Sequence, residues 1–116
     1  MTTLYGIPHC DTVKKARAWL AERKLTYQFH DFKKQGVPEK QIDHWLATAG
    51  WEKLLNRQGT TWRQLDDAAK AAVTDEKSAR ALMLAQPSVV KRPVVEWLAG
   101  EVSVGFDAAD WQNRLK

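Results

Sequence analysis

Thr2-Thr3-Leu4-Tyr5-Gly6-Ile7-Pro8-His9-Cys10-Asp11-Thr12-Val13-Lys14-Lys15-Ala16 is the stretch on which the reading of the fold turns. Thr2 to Gly6 has the character of a strand, Gly6 and Pro8 break it, and a helical pattern begins at once. From about Asp11 to Lys24, Val13, Ala16, Trp19 and Leu20 recur at three- and four-residue intervals, which is one face of a helix. Cys10 stands at the junction. A thiol there meets the free N–H groups and the positive dipole end of the helix, and those features lower a cysteine's pKa and make it a nucleophile.

Outward from that junction, Leu25 to Phe32 alternates and is rich in aromatics, which predicts a second strand, and Lys33-Lys34-Gln35-Gly36 predicts a turn. A helical block follows. Pro38 opens a helix carrying Ile42, Trp45, Leu46 and Ala49 on one face, and Gly50 stops it. Short helices are expected at Trp51–Leu55 and from Thr60 to Leu65, and another after the Thr74–Lys77 cap, with Ala79, Leu82, Met83 and Ala85 inward. Val89 to Trp97 is strand-like, Ala99-Gly100 turns the chain, and Val102 to Phe106 returns it. Asp107 caps a last helix over 108–115, with Trp111 and Leu115 facing inward.

A β-α-β start favours two parallel strands joined by a right-handed crossover. A hairpin and a final helix complete a small mixed sheet. The expectation is an α/β fold: a thioredoxin-like, mixed four-stranded sheet with an all-helical insertion, about 37–86, between the second and third strands. Residues 1–116 are read as one domain, without internal repeat, linker or low-complexity tract.

Composition narrows the function classes. With 18 basic and 14 acidic residues the net charge is +4, and the basic residues fall in scattered pairs such as Lys14-Lys15, Lys33-Lys34 and Lys91-Arg92. A nucleic-acid binder would carry a denser basic stripe with interleaved aromatics, so no nucleic acid is expected. Apolar runs are only a few residues long and the start lacks a basic-then-apolar layout, so neither a membrane span nor a secretory signal is expected. One cysteine cannot form an intramolecular disulfide, which fits a reducing cytoplasm. A monomer is the default expectation.

Redox motifs of the thioredoxin type place a resolving cysteine three positions after the nucleophile. Here that position holds Val13, so the second thiol must come from outside the chain, and glutathione is the expected donor. The backbone N–H groups of Thr12 and Val13 are expected to stabilise the thiolate, while Asp11 opposes it. His9 is a candidate proton relay or substrate contact. Arg92 offers a fork to an anion or to the thiolate, Pro93 has the position of a cis proline shaping the substrate groove, and Arg57 offers a second fork. The six tryptophans fall mainly on apolar faces and are read as core. One cysteine and three scattered histidines lack metal-ligand spacing, so no metal is expected.

Four segments together carry a family resemblance: Tyr5 to Ala16 as quoted above, Asp31-Phe32-Lys33-Lys34-Gln35-Gly36, Leu54-Leu55-Asn56-Arg57, and Lys91-Arg92-Pro93-Val94-Val95. In order and spacing the chain resembles the arsenate reductase (ArsC-like) family, on its Spx/YffB-type branch. The resemblance implies a thioredoxin-like fold with a helical insertion. In the glutaredoxin-linked arsenate reductases the equivalent cysteine attacks arsenate and three arginines hold the oxyanion. Cys10, Arg57 and Arg92 match the nucleophile and two of those arginines, whereas residues 94–106 contain no arginine or lysine for the third. The YffB-type members imply a glutathione-dependent monothiol reductase acting on a disulfide, a mixed disulfide or a small oxidised substrate, with glutathione as co-substrate and glutaredoxin as a possible partner. The alternatives are an Spx-like regulator that binds RNA polymerase or another protein, and a glutaredoxin-linked arsenate reductase.

Overall fold

The computed structural model describes residues 1–115, which fall into two compact units, residues 1–31 with 92–115, and residues 32–91.

The first unit is a mixed four-stranded sheet with two helices. Its elements are β1 (Thr2–Gly6), α1 (Asp11–Glu22), β2 (Tyr27–Asp31), β3 (Val94–Glu96), β4 (Val102–Val104) and a C-terminal helix, Ala108–Arg114. The strand order is β2-β1-β3-β4. β1 and β2 are parallel, and the other two pairings are antiparallel. Phe29, Leu4, Val95 and Ser103 are successive cross-strand partners and so form one row on one face. Leu4 and Val95 pack there with Val13, Ala16, Trp19 and Leu20 of α1 and with Trp111 of the C-terminal helix. The rings interlock edge to face: Trp111 lies 5.6 Å from Trp19, 5.0 Å from Trp97 and 4.8 Å from Phe106. The Trp97 indole also donates to Ser103 Oγ at 2.9 Å, which satisfies the one buried hydroxyl in this row.

The second unit is helical: α2 (Phe32–Gln35), α3 (Glu39–Ala49), α4 (Trp51–Leu54), α5 (Thr60–Gln64), α6 (Asp67–Ala71) and α7 (Glu76–Ala85), after which the C-terminal helix is α8. Ile42, Trp45, Leu46, Leu54, Ala79 and Met83 are buried. Pro38 is the cap residue just outside α3, and Gly50 ends that helix at φ +88, a conformation that favours glycine. Asp75 caps α7 in a reciprocal box with Ser78. Arg80 of α7 reaches Asp43 of α3 at 2.7 Å. A single antiparallel bridge, Leu55 to Val90, is flanked by Asn56 N–H to Val89 carbonyl at 2.7 Å and Lys91 N–H to Leu54 carbonyl at 2.8 Å.

Several local expectations are corrected. The second strand starts at Tyr27 and stops at Asp31, because Phe32 already begins a helical turn whose end Gly36 closes at φ +69. Of the stretch Val89 to Trp97, only Val94–Glu96 joins the sheet, and Pro87–Val89 forms a turn of 3-10 helix. Proline has no N–H for a ladder, so pairing begins only after Pro93. Helix α6 has no counterpart in the sequence reading. Leu115 is 38% exposed rather than inward. Trp51 and Trp62 are half-buried, outside the core assigned to all six tryptophans.

Among the described residues, no helix is long and apolar enough to cross a membrane.

Candidate functional site

β1 ends at Gly6, and the chain must turn within Ile7-Pro8-His9 before α1 begins. Two backbone bonds make that turn: Cys10 N–H donates to the Ile7 carbonyl at 3.2 Å, and the Cys10 carbonyl accepts the first helical bond from Lys14 at 2.9 Å. Cys10 is therefore the cap residue of α1, in extended conformation (φ −81, ψ 126), and its side chain sits where a serine or aspartate cap usually does. Gly6 is required by close packing. A Cβ there would meet Val13 Cγ2 at 2.8 Å, so only glycine lets α1 approach the end of β1 this closely.

Cys10 is half-buried against the aromatic core and is the chain's free thiol. Its pKa is the outcome of opposed effects. Burial pushes the thiol up, but the Val13 backbone N–H, the hydrogen bond and charge of the Arg92 side chain, and the Thr12 backbone N–H together outweigh burial. The thiol is held below its ordinary value of 9.0, so the thiolate is favoured. Asp11 does not feature among these influences.

Arg92 arrives from the other side of the sheet's centre, just before β3. The Arg92–Pro93 peptide is cis, and the Pro93 carbonyl accepts from the Gly105 N–H at 2.9 Å, so the start of β3 is tied to the chain beyond β4. The fold thus brings Cys10, Thr12, Val13 and Arg92 into one constellation, a thiol, two backbone donors and a guanidinium, and Pro93 follows Arg92 in the chain. Chemically this is a nucleophilic sulfur with an adjacent cation able to bind an anionic substrate group. His9 is the exposed residue before the thiol.

Arg57 belongs to the second unit. It follows α4 in a turn where the Asn56 side chain accepts from the Gln58 N–H at 3.1 Å. Gly59 completes that turn, since a Cβ there would meet the Asn56 amide nitrogen at 2.8 Å. The exposed guanidinium lies over two indole rings, 5.4 Å from the centre of Trp51 and 5.8 Å from that of Trp62. The sequence reading missed both tryptophans as neighbours of a site residue. Local periodicity gave no signal, since Trp51 stands three and four residues before the buried Leu54 and Leu55, the spacing of a core residue.

Among the described residues, no group of three or more His, Cys, Asp and Glu side chains could hold a metal ion.

Known proteins share the sequence and fold of this chain. A solved YFFB protein is 49% identical, with each chain fully covered and a TM-score of 0.93. A solved arsenate reductase (ArsC) related protein from Brucella melitensis is 50% identical over 99% of this chain and 94% of its own, with a TM-score of 0.75. The global transcriptional regulator Spx of Streptococcus pyogenes is 26% identical over 98 residues, 82% of this chain and 71% of that protein. The family model described as ArsC family matches residues 5–114, nearly the whole sequence, and the chain belongs to the ArsC family.

Proposed function

We propose that this protein is a glutathione-dependent monothiol reductase with Cys10 as nucleophile. The observation that supports it most is the thiol at the start of α1, with its pKa lowered by backbone donors and Arg92, in a chain with no second cysteine. On a glutathione mixed disulfide, the Cys10 thiolate attacks the glutathione sulfur. A new bond forms between Cys10 Sγ and that sulfur, and the substrate thiolate leaves and takes a proton from water. A second glutathione thiolate then attacks the glutathione sulfur of the adduct. Glutathione disulfide departs and the Cys10 thiolate is regenerated. The substrate sulfur is reduced to a thiol and one free glutathione thiol is oxidised, since the glutathione carried on the substrate is already at the disulfide level.

In this reading the N–H groups of Thr12 and Val13 and the Arg92 guanidinium stabilise the thiolate both as attacking and as leaving group. Arg57 receives a glutathione carboxylate, Pro93 shapes the groove beside the thiol, and His9 contacts substrate. The whole cycle uses a soluble thiol pool, which fits a cytoplasmic protein acting alone or with glutaredoxin. The test is glutathione-coupled reduction of a glutathionylated peptide by wild type and Cys10→Ser. Activity that disappears with the thiol supports the mechanism; equal rates in both proteins would discard it.

A second reading, a regulator acting through a protein partner, draws on the similarity to Spx. Stable capture of purified RNA polymerase by the protein, with no glutathione-coupled turnover, would favour that reading. Arsenate-dependent turnover with glutaredoxin would instead favour arsenate reduction, despite the absence of a third arginine in residues 94–106.

A further inference from the structure

At the end of the sheet away from the thiol, the first unit holds a half-open cavity of about 310 Å³. The starts of β1 and β2, the chain just after β3 and the last turn of α1 meet there, so that Thr2, Tyr27, Trp97 and Leu20 all line it. Cys10 stands at the opposite end of α1, about 15 Å back along the helix from Leu20. The cavity is therefore separate from the site at the thiol. Among the described residues, Met1, Leu98 and Leu115 are the exposed large hydrophobic side chains, and all of them line this one cavity. Scattered singly they would need no explanation, but gathered around a concavity they mark a binding surface.

The way α1 ends builds one wall. Lys24 N–H donates to the Ala21 carbonyl at 3.0 Å and Leu25 N–H to the Leu20 carbonyl at 3.1 Å, the paired bonds that close a helix through one left-handed residue. The closure returns Leu25 toward Leu20, and both side chains line the cavity. The left-handed residue is Lys24, at φ +56, in a position that glycine usually fills. Lys24 is exposed, and its ammonium has no carboxylate partner among the described residues. Arg23 beside it is engaged with Trp19 and Gln112 instead. No charged side chain lines the cavity itself. Because Lys24 directly precedes the lining residues Leu25 and Thr26, its flexible four-carbon stem brings a charge within reach of the rim.

We infer that this cavity binds the tail of a small anionic amphiphile, a medium-chain carboxylate, with Lys24 at its head group. Charge decides the class. Walls without a charged side chain suit hydrocarbon, and an unpaired cation at the rim complements an anionic head. With about 30 Å³ for each methylene-sized group, the share of a water in the liquid, the cavity has room for roughly ten such groups. That is the length of an octyl or decyl chain. A lysine in left-handed backbone, where glycine would carry no strain, is then accounted for by the charge it supplies. The inference stands apart from the reductase reading, since none of these residues touches the thiol.

The test is methyl NMR of the intact protein titrated with sodium octanoate and, separately, with neutral 1-octanol. Octanoate is expected to shift the methyl signals of Leu20, Leu25, Leu98 and Leu115 saturably, and to bind about fivefold tighter than octanol, the size of one exposed ion pair. Lys24→Gln should remove that preference and leave octanol binding as it was. Leu98→Asp, at a side chain 68% exposed and so harmless to folding, should weaken both probes severalfold. Shifts that never saturate, or that spread over methyl groups away from the cavity, overturn the site. Equal affinity for the two probes in wild type, or a preference for octanoate that survives in Lys24→Gln, overturns the head-group assignment. Sedimentation velocity supplies the last arm: a dimer that closes the cavity to both probes makes this face a contact between two copies of the chain and overturns the ligand.

Discussion

Arg92 hydrogen-bonds the Cys10 thiol although the two residues enter the site from different strands, Cys10 after β1 and Arg92 before β3. The antiparallel pairing of those strands is what makes the meeting possible, since it sets the start of β3 beside the end of β1. The consequence is chemical. The guanidinium contributes both a hydrogen bond and a charge toward the thiolate form.

Replacing that side chain should therefore raise the Cys10 pKa. Arg92→Ala removes both contributions, and Arg92→Lys keeps a charge but loses the planar fork. The order of thiol pKa is expected to be wild type, then Arg92→Lys, then Arg92→Ala, read from thiolate ultraviolet absorbance against pH with Cys10→Ser as blank. Glutathione-coupled turnover at neutral pH should fall about tenfold or more in Arg92→Ala. A thiol pKa identical in all three proteins would remove Arg92 from the activating group and leave the helix donors alone.

The pH profile of the wild type follows from the same shift. Burial opposes ionisation and the Val13 N–H, Arg92 and the Thr12 N–H favour it more strongly, so the thiolate forms below the ordinary value of 9.0. The reaction rate should rise with pH and level off at the folded-state pKa, before an unperturbed thiol would. The sign carries over to stability. A depressed pKa stabilises the fold at high pH, and that contribution disappears as pH falls through the folded value. The stability advantage of wild type over Cys10→Ser should thus be larger above pH 9 than at mildly acid pH, as urea denaturation at the two conditions would show.

The nucleophile's place was legible because its signals are local. Gly6 and Pro8 punctuate the chain, and Val13, Ala16, Trp19 and Leu20 repeat with the period of a helix, so strand, turn and helix follow from neighbouring residues. The third strand was less legible. Val89, Val90, Val94 and Val95 form a β-favouring run, yet only two of them join the sheet, because the proline between them supplies no ladder donor. Helix α6 escaped for the opposite reason. Asp67-Ala68-Ala69-Lys70-Ala71 has no apolar stripe, and its helicity comes from alanine propensity and the Asp66 cap, which accepts from Ala69 at 2.7 Å. The Trp51–Arg57–Trp62 grouping was invisible because a turn, not a helical or strand period, brings the three together.

Gly6 links fold and site most directly. In Gly6→Ala the new Cβ would stand 2.8 Å from Val13 Cγ2. Valine is stiff about χ1 and Val13 is fully buried, so the strain falls on the backbone at the start of α1. The expected cost is about 1–3 kcal/mol of stability, as for other overpacked cores. Val13 also provides the strongest of the donors that favour the thiolate, so its displacement should raise the Cys10 pKa as well. Chemical denaturation and the thiolate titration read the two effects separately. A variant that loses neither stability nor thiol acidity would show that α1 does not need so close an approach to β1.

On the other face of the sheet from the aromatic core, the Tyr5 hydroxyl donates to Glu96 Oε1 and the Tyr5 ring lies 5.0 Å from that of His30. Burial, then the hydrogen bond and charge of Glu96, raise the phenol's pKa well above its ordinary 10.0. The folded state therefore holds this proton where the unfolded chain would release it. Such a group stabilises the fold fully below the unfolded value, and its contribution is lost as pH climbs beyond it. Tyr5→Phe should cost about 2 kcal/mol at neutral pH, the size of a hydrogen bond to a charged carboxylate. That difference should shrink steadily above pH 10, where wild type must retain a proton that phenylalanine never carries. Urea denaturation of both proteins at neutral pH and above pH 10 checks it. A gap between the two that stays constant across the alkaline range would mean that the Tyr5 proton is not held by Glu96 in solution.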